Sequence, residues 1–375
     1  MSRLKHLSEA GCAVWLDFVD KKFLDAGGLQ KLVDEDGLRG VTSNPSIFEK
    51  AMGHGEAYDA GLAEYDRAHP GASALDRYEH LAAGDIRAAA DTLRPVYDRL
   101  DAADGYVSLE VSPTIALDTD ATIAEAKKLW AMVDRPNLMI KIPGTDAGAP
   151  AVAATIAGGI NVNVTLLFSQ AAYARVAEAY AMGLEQRVER GLAVDRIASV
   201  ASFFVSRIDA TIDKEIDRRV GEGDPESDAL KALRGKVAIA NAKMAYQWFL
   251  DFSKSDRWRA LAAKGARPQR LLWASTGVKD PAYPDTLYVD TLIGPDTVNT
   301  MPPQTMDAFR DHGVVAETLT DGVDEARQVL AEVERLGLDL DAVTTKLVDE
   351  GVASFVNAFD ALLGSIAAKK PAEAA

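Results

Sequence analysis

Short runs rich in Val, Ile and Leu recur along the chain at residues 13–19 (AVWLDFV), 40–44 (GVTSN), 106–111 (YVSLEV), 137–142 (NLMIKI), 160–166 (INVNVTL), 199–205 (SVASFFV), 270–275 (RLLWAS) and 297–301 (TVNTM). Branched apolar residues in runs this short predict strands. Between them, apolar residues return every three or four positions, clearest at Leu75, Tyr78, Ala82, Ile86, Ala89, Leu93, Val96 and Leu100. The same spacing recurs at Leu230, Leu233, Val237, Ala240, Met244, Trp248 and Phe252, and it keeps one face of a helix oily. Eight strands alternating with helices predict an α/β fold, a (β/α)8 TIM barrel with additional helices, as a single domain over residues 1–365; the competing arrangement is an open doubly wound sheet. Residues 285–294 are strand-like in composition, but Pro284 and Gly294 punctuate them as a helix. The residues after Thr305 read as closing helices, and 366–375 as a flexible tail.

One lysine interrupts this pattern. Side chains alternate faces along a strand, so in NLMIKI the residues Leu138, Ile140 and Ile142 share one face while Met139 and Lys141 share the other. In a barrel the first set meets the helices and the second points inward. The same count turns inward Trp15 with Asp17, Thr42 with Asn44, Ser108 with Glu110, Asn161 and Asn163 with Thr165, Val200 with Ser202 and Phe204, and Trp273 with Ser275. Seven strands therefore carry a polar group towards their C-terminal ends, where barrels of this kind hold their active sites. Each residue alone has a plainer reading, as a strand lysine with its head in water or a polar residue capping a turn. Seven agreements of parity and position outweigh those readings.

Composition narrows the setting. With 375 residues, 48% hydrophobic and 26% charged, the chain is of ordinary globular make-up. Its one cysteine, Cys12, permits no internal disulfide, as suits a reducing compartment. No continuous apolar run reads as long enough to span a bilayer, and MSRLKHLSEAG lacks a signal peptide's apolar stretch. A cytoplasmic protein is expected, with monomer and homodimer both open. The formal net charge of -16 argues against nucleic acid or an anionic membrane as partner. An anionic ligand would need local cations to hold it.

The inward set suggests a chemistry. An amine held among apolar neighbours loses hydration of its charged form and becomes a nucleophile able to form a Schiff base with a carbonyl. Asp17 and Glu110 could move the protons that carbinolamine dehydration and carbon–carbon cleavage require. Thr165, Ser202, Asn44 and Asn163 could orient water and hydroxyls, which points to a sugar, and Arg207 and Lys279 would supply positive charge for a phosphate. A metal-dependent route needs ligands near the mouth, whereas the five histidines, His6, His54, His69, His80 and His312, all lie away from it. No dinucleotide, triphosphate or hydrolase-elbow motif is present. Neither a cofactor nor a metal is expected.

The segments GVTSNPSIFEKA, IRAAADTLRPVYD, VSLEVSP, NLMIKIPGT, GINVNVTLLFS, VASFFVSRID, WASTGVKD and TVNTMP, in this order, resemble those of transaldolases. The resemblance implies a (β/α)8 barrel that transfers a dihydroxyacetone unit from a ketose phosphate (sedoheptulose 7-phosphate or fructose 6-phosphate) to an aldose phosphate (glyceraldehyde 3-phosphate or erythrose 4-phosphate) in the non-oxidative pentose phosphate pathway. By the same resemblance, Lys141 is the Schiff-base lysine, Asp17 the acid/base at the C4 hydroxyl, and Glu110 the carboxylate that works with a water positioned by Thr165, with Asn163 beside it. Asn44 and Ser202 would hold the dihydroxyacetone part, with Arg207 at the phosphate and Ser275 at the matching serine after strand seven. A second arginine common in the family is replaced by STGVK, so its role falls to Lys279, a point charge in place of a fork. Phe204 stands where related fructose 6-phosphate aldolases carry a tyrosine, which favours transfer over simple cleavage.

Overall fold

All eight expected strands form, at Cys12–Leu16 (β1), Gly40–Val41 (β2), Tyr106–Glu110 (β3), Leu138–Pro143 (β4), Val162–Leu167 (β5), Ser199–Phe204 (β6), Arg270–Ala274 (β7) and Thr297–Met301 (β8). The computed structural model describes residues 2–53 and 56–369. The strands lie in sequence order in a closed parallel barrel, with β8 returning to β1 from Cys12 opposite Thr297 to Leu16 opposite Met301. Closure rules out the open sheet. Helices cover the outside of the barrel and side chains fill its inside, so strand residues are buried on both faces, which is why the runs read as nearly continuous apolar segments.

Packing of the interior explains particular residues. Trp15 and Trp273 are fully buried. A Cβ at Gly40 would lie 2.3 Å from the Trp15 ring, so the strand beside that indole has room only for glycine. Asn161 does a different job from the one its parity suggests. It precedes β5, donates to Pro136 O and Leu138 O at 3.1 and 3.0 Å, and accepts from Ala198 N at 3.0 Å. It thus ties the start of β4 to the approach of β6 and takes no part in the mouth.

Three helical expectations change. The run from Leu230 to Phe252 is two helices, Ser227–Leu233 and Val237–Ser253. Gly235 breaks it in the left-handed region, at φ 67°. The Asp213 carboxylate takes Gly235 N–H, and Asp209 takes Ala238 N–H at 2.8 Å. Residues 285–294 form only the single turn Leu287–Asp290.

The last helix, Leu340–Ala368, extends three residues into the stretch read as a tail. Ile366 is buried there, and Arg77 donates to Ile366 O and Lys369 O at 2.8 and 3.1 Å. Residues 370–375 lie outside the described part. This helix is also, by length and a mean hydropathy of 1.4, apolar enough to cross a membrane, contrary to the reading of the sequence. Its apolar side packs on the helices Pro45–Met52 and Ala74–Arg99, with the Phe359 and Tyr78 rings 5.4 Å apart.

Candidate active site

Strand register assembles the site. Lys141 on β4 is paired with Glu110 on β3 and with Asn163 on β5, so three polar side chains stand side by side on the inner face. Lys141 is 4% exposed and Glu110 6%. Lys141 Nζ lies 3.1 Å from Glu110 Oε2 and donates to Ser43 O at 3.0 Å. The Phe355 ring, from the Leu340–Ala368 helix, sits over the amine at 5.8 Å. Burial pushes the Glu110 carboxyl above its ordinary range, and the Lys141 cation pulls it back. Beyond that ion pair, neither Glu110 oxygen nor Thr165 Oγ1 has a hydrogen-bond partner among the described residues. Buried polar atoms are nearly always satisfied, so these are the groups to which a reactant or a water would add.

Asp17 follows β1 by one residue. Thr42 Oγ1 donates to its Oδ1 at 2.7 Å and lies 2.7 Å from Thr300 Oγ1, a short relay across β1, β2 and β8. Burial raises the Asp17 carboxyl as well, opposed by Lys141, the Thr42 hydroxyl and Arg207. On the other side of the lysine, Ser202 Oγ donates to Asn163 Oδ1 at 2.7 Å, and Asn163 Nδ2 donates to Ser108 Oγ at 3.0 Å.

These groups face a cavity of roughly 330 Å³ lined by Asp17, Asn44, Lys141, Thr165, Ser202, Phe204, Arg207, Ser275 and Lys279. Glu110 and Asn163 lie directly behind, bonded to Lys141 and Ser202. All eleven residues singled out from the sequence are therefore gathered at one end of the barrel. Two of its strand ends are bent out of ordinary geometry. Leu166, in the bulge between Val164 and Leu167, has φ 59°, and Ser275 has φ 55°. Left-handed non-glycine residues carry strain that cluster-forming sites tolerate.

The reading of the sequence missed Ser43, Lys50, Thr300 and Phe355. Extending the parity count to β8 would have found Thr300, since it pairs with inward Trp15. Phe355 leaves no local signal, because only the tertiary path of its helix brings it over Lys141. Of the histidines, His54 lies outside the described residues, His69 and His80 stack on Tyr65, and His312 bonds Asp285.

A family model described as transaldolase/fructose-6-phosphate aldolase matches residues 14–366. The chain belongs to this family. It is 49% identical over 374 residues to "Transaldolase 2" of Nostoc sp., covering 98% of each chain. It is 50% identical over 367 residues to a transaldolase of Thermobifida fusca, again covering 98% of each. "Transaldolase 1" of Streptomyces avermitilis is 50% identical over 368 residues, covering 98% of this chain and 95% of the relative.

In this family member Arg207 is the second residue of the helix Ser206–Gly221, which follows β6. The guanidinium of Arg207 lies 5.3 Å from the Phe204 ring; burial pulls it below the ordinary arginine range, opposed by Asp17 and Glu350. Ser206 and Ser275 hydroxyls are 3.0 Å apart. Further along the helix, Asp209 accepts from Tyr288 at 2.9 Å and Asp213 from Tyr283 at 2.7 Å, which anchors the segment after Lys279.

Burial pushes the Asp209 carboxyl up from 3.8 to about 7, against the hydrogen bonds it accepts. The folded chain then holds that proton more tightly than the unfolded chain. This contribution to stability is complete below the unfolded value of 3.8 and is lost as pH rises through about 7. Asp209→Asn is expected to flatten the fall in urea midpoint between about pH 5 and about pH 8. Denaturation curves at the two pH values check this, and an unchanged slope would assign the loss to other groups.

Proposed function

We infer that the chain is a transaldolase, moving a dihydroxyacetone unit from a ketose phosphate to an aldose phosphate through a Schiff base on Lys141. The observation that carries this is a buried amine 3.1 Å from one carboxylate, with a second carboxylate lining the same cavity. The reading places the enzyme in the cytoplasm, in the non-oxidative pentose phosphate pathway, with sugar phosphates as its partners.

The steps follow from the groups present. Glu110, whose burial favours its protonated form, takes a proton from Lys141 Nζ, leaving a neutral amine to add to the ketose C2 carbonyl. The carbinolamine hydroxyl leaves as water with a proton supplied from the Glu110 side, and Thr165 Oγ1, without a hydrogen-bond partner among the described residues, positions that water. In the resulting iminium the C3–C4 bond is placed to break. Asp17 removes the C4 hydroxyl proton, C4 becomes the aldehyde carbonyl, and the bonding pair passes through C2 to nitrogen, giving an enamine. The aldose departs, a second aldehyde enters, and the steps reverse. Asn44 and Ser202 hold the retained hydroxyls, and Arg207 with Lys279 holds the phosphate. Phe204 packs 5.1 Å from Phe168, and Phe355 roofs the amine, so the enamine is kept dry between half-reactions.

A Schiff-base lyase is the second reading, because the family includes fructose 6-phosphate aldolases. The apolar ring at Phe204 disfavours it. Incubation with fructose 6-phosphate and borohydride is expected to leave a stable adduct on the peptide containing Lys141, read by mass spectrometry. No adduct would overturn the Schiff-base reading, and dihydroxyacetone released freely without an acceptor would make the chain a lyase.

A further inference from the structure

Three cations line the cavity, from three different elements. Arg207 enters from the helix after β6, Lys279 from the loop after β7, and Lys50 from the last turn of the Pro45–Met52 helix after β2. None of the three makes a side-chain ion pair or hydrogen bond among the described residues, although Arg207 lies on the Phe204 ring. The chain has 57 acidic residues against 41 basic, and many cations elsewhere are paired with acids. Arg218, for example, is taken by Glu215 and Glu222, and Arg335 by Glu226 and Glu332. A lone unpaired lysine on open surface means little. Three unpaired cations around one concave site are an arrangement for a bound anion.

Topology sets their relation. In a closed barrel of eight strands in sequence order, β2 lies diametrically opposite β6, so Lys50 faces Arg207 across the mouth. Lys50 shares its helix face with Ser46 and Ile47, four and three positions earlier, and these also line the cavity. That face is held over the opening at both ends of the element. Asn44 Oδ1 caps the helix by accepting from Ile47 N at 3.0 Å, and Phe48 and Met52 are buried, with the Phe48 ring 5.8 Å from that of Tyr78. The chain also has Lys279 where its resemblance implies an arginine. An ammonium offers one point charge where a guanidinium offers a planar fork, so Arg207 and Lys279 together grip a phosphate with one fork fewer than two arginines would.

We propose that Lys50 is a phosphate-binding residue that closes on the bound sugar phosphate from the wall opposite Arg207. The anion subsite is then a clamp of one fork and two point charges. This deepens the transaldolase reading and rests on it. Glu350, which acts on Arg207 from the closing helix, limits the positive field at the rim and is itself 3.5 Å from Lys346. Because Lys50 is exposed, it can swing aside to admit substrate and return once the phosphate is seated.

The test is Lys50→Met, which keeps the stem and removes the charge. With fructose 6-phosphate as donor, kcat/KM is measured for erythrose 4-phosphate and for erythrose as acceptors. The ratio of the two is expected to fall about tenfold, equivalent to about 1.4 kcal/mol, and Lys50→Arg should recover most of it. The inhibition constant of inorganic phosphate should rise by a similar factor. An unmoved ratio, or an equal loss with both acceptors, overturns the proposal. Reductive trapping separates the two levels. Failure to trap the ketose on wild-type Lys141 would remove the transaldolase reading itself, whereas trapping in both proteins with an unmoved ratio would remove only the role of Lys50.

Discussion

Lys141→Ala is expected to lower transfer by at least about 10⁴-fold, the scale on which removal of a covalent nucleophile acts. Borohydride should then fix no sugar to the protein. The barrel should survive, because Lys141 is one inward side chain among many, and circular dichroism would show it. The substitution nevertheless leaves Glu110 buried without its cation, at 6% exposure. An isolated buried carboxylate takes up a proton, so the folded-state value of Glu110 moves further above its ordinary range. Stability of the variant is therefore greatest at low pH and falls, more steeply than in the wild type, as pH rises. A variant that still transfers at more than about 1% of the wild-type rate, well above what loss of a nucleophile leaves, would place the nucleophile on another residue.

Asp17→Asn is expected to act on a different step. The amide keeps the shape and can still accept from Thr42, which lies 2.7 Å from Asp17. It cannot take the C4 hydroxyl proton. Cleavage should slow by about 10² to 10⁴, the usual worth of a positioned general base, while formation of the Schiff base continues. Ketose should therefore accumulate on Lys141 as an uncleaved adduct, and the mass of the reduced peptide would report all of its carbons instead of three. If trapping and cleavage fall together, Asp17 serves the whole site and is not the base for bond breaking.

Much of this was legible along the chain because parallel strands buried on both faces leave simple marks. Even β2, only Gly40–Val41, stood out through GVTSN. Alternation along NLMIKI was enough to turn Lys141 inward, since a one-residue error in register would have sent it to the helices. Other features depend on partners distant in sequence. The helical spacing from Leu230 to Phe252 is regular across the break at Gly235, and what decides the break is a pair of carboxylates, Asp209 and Asp213, from another helix. Tyr288 likewise reaches Asp209 from a segment whose punctuation promised a longer helix than the single turn it forms. Lys50 and Phe355 gave no sign, because an exposed lysine on a helix and an apolar residue in a closing helix are what any soluble chain displays.

The route of the Leu340–Ala368 helix also orders events in time. Synthesis runs from the N-terminus, and all eight strands, ending at Met301, emerge before Phe355 does. The barrel can seal by pairing β8 with β1 while its reactive amine is still open to water. Competence to carry the three-carbon fragment is thus acquired later than the shape that holds it. On the proposed mechanism, a chain ending before Leu340 would remain at that earlier stage, with sugar still able to bond and the fragment free to be lost.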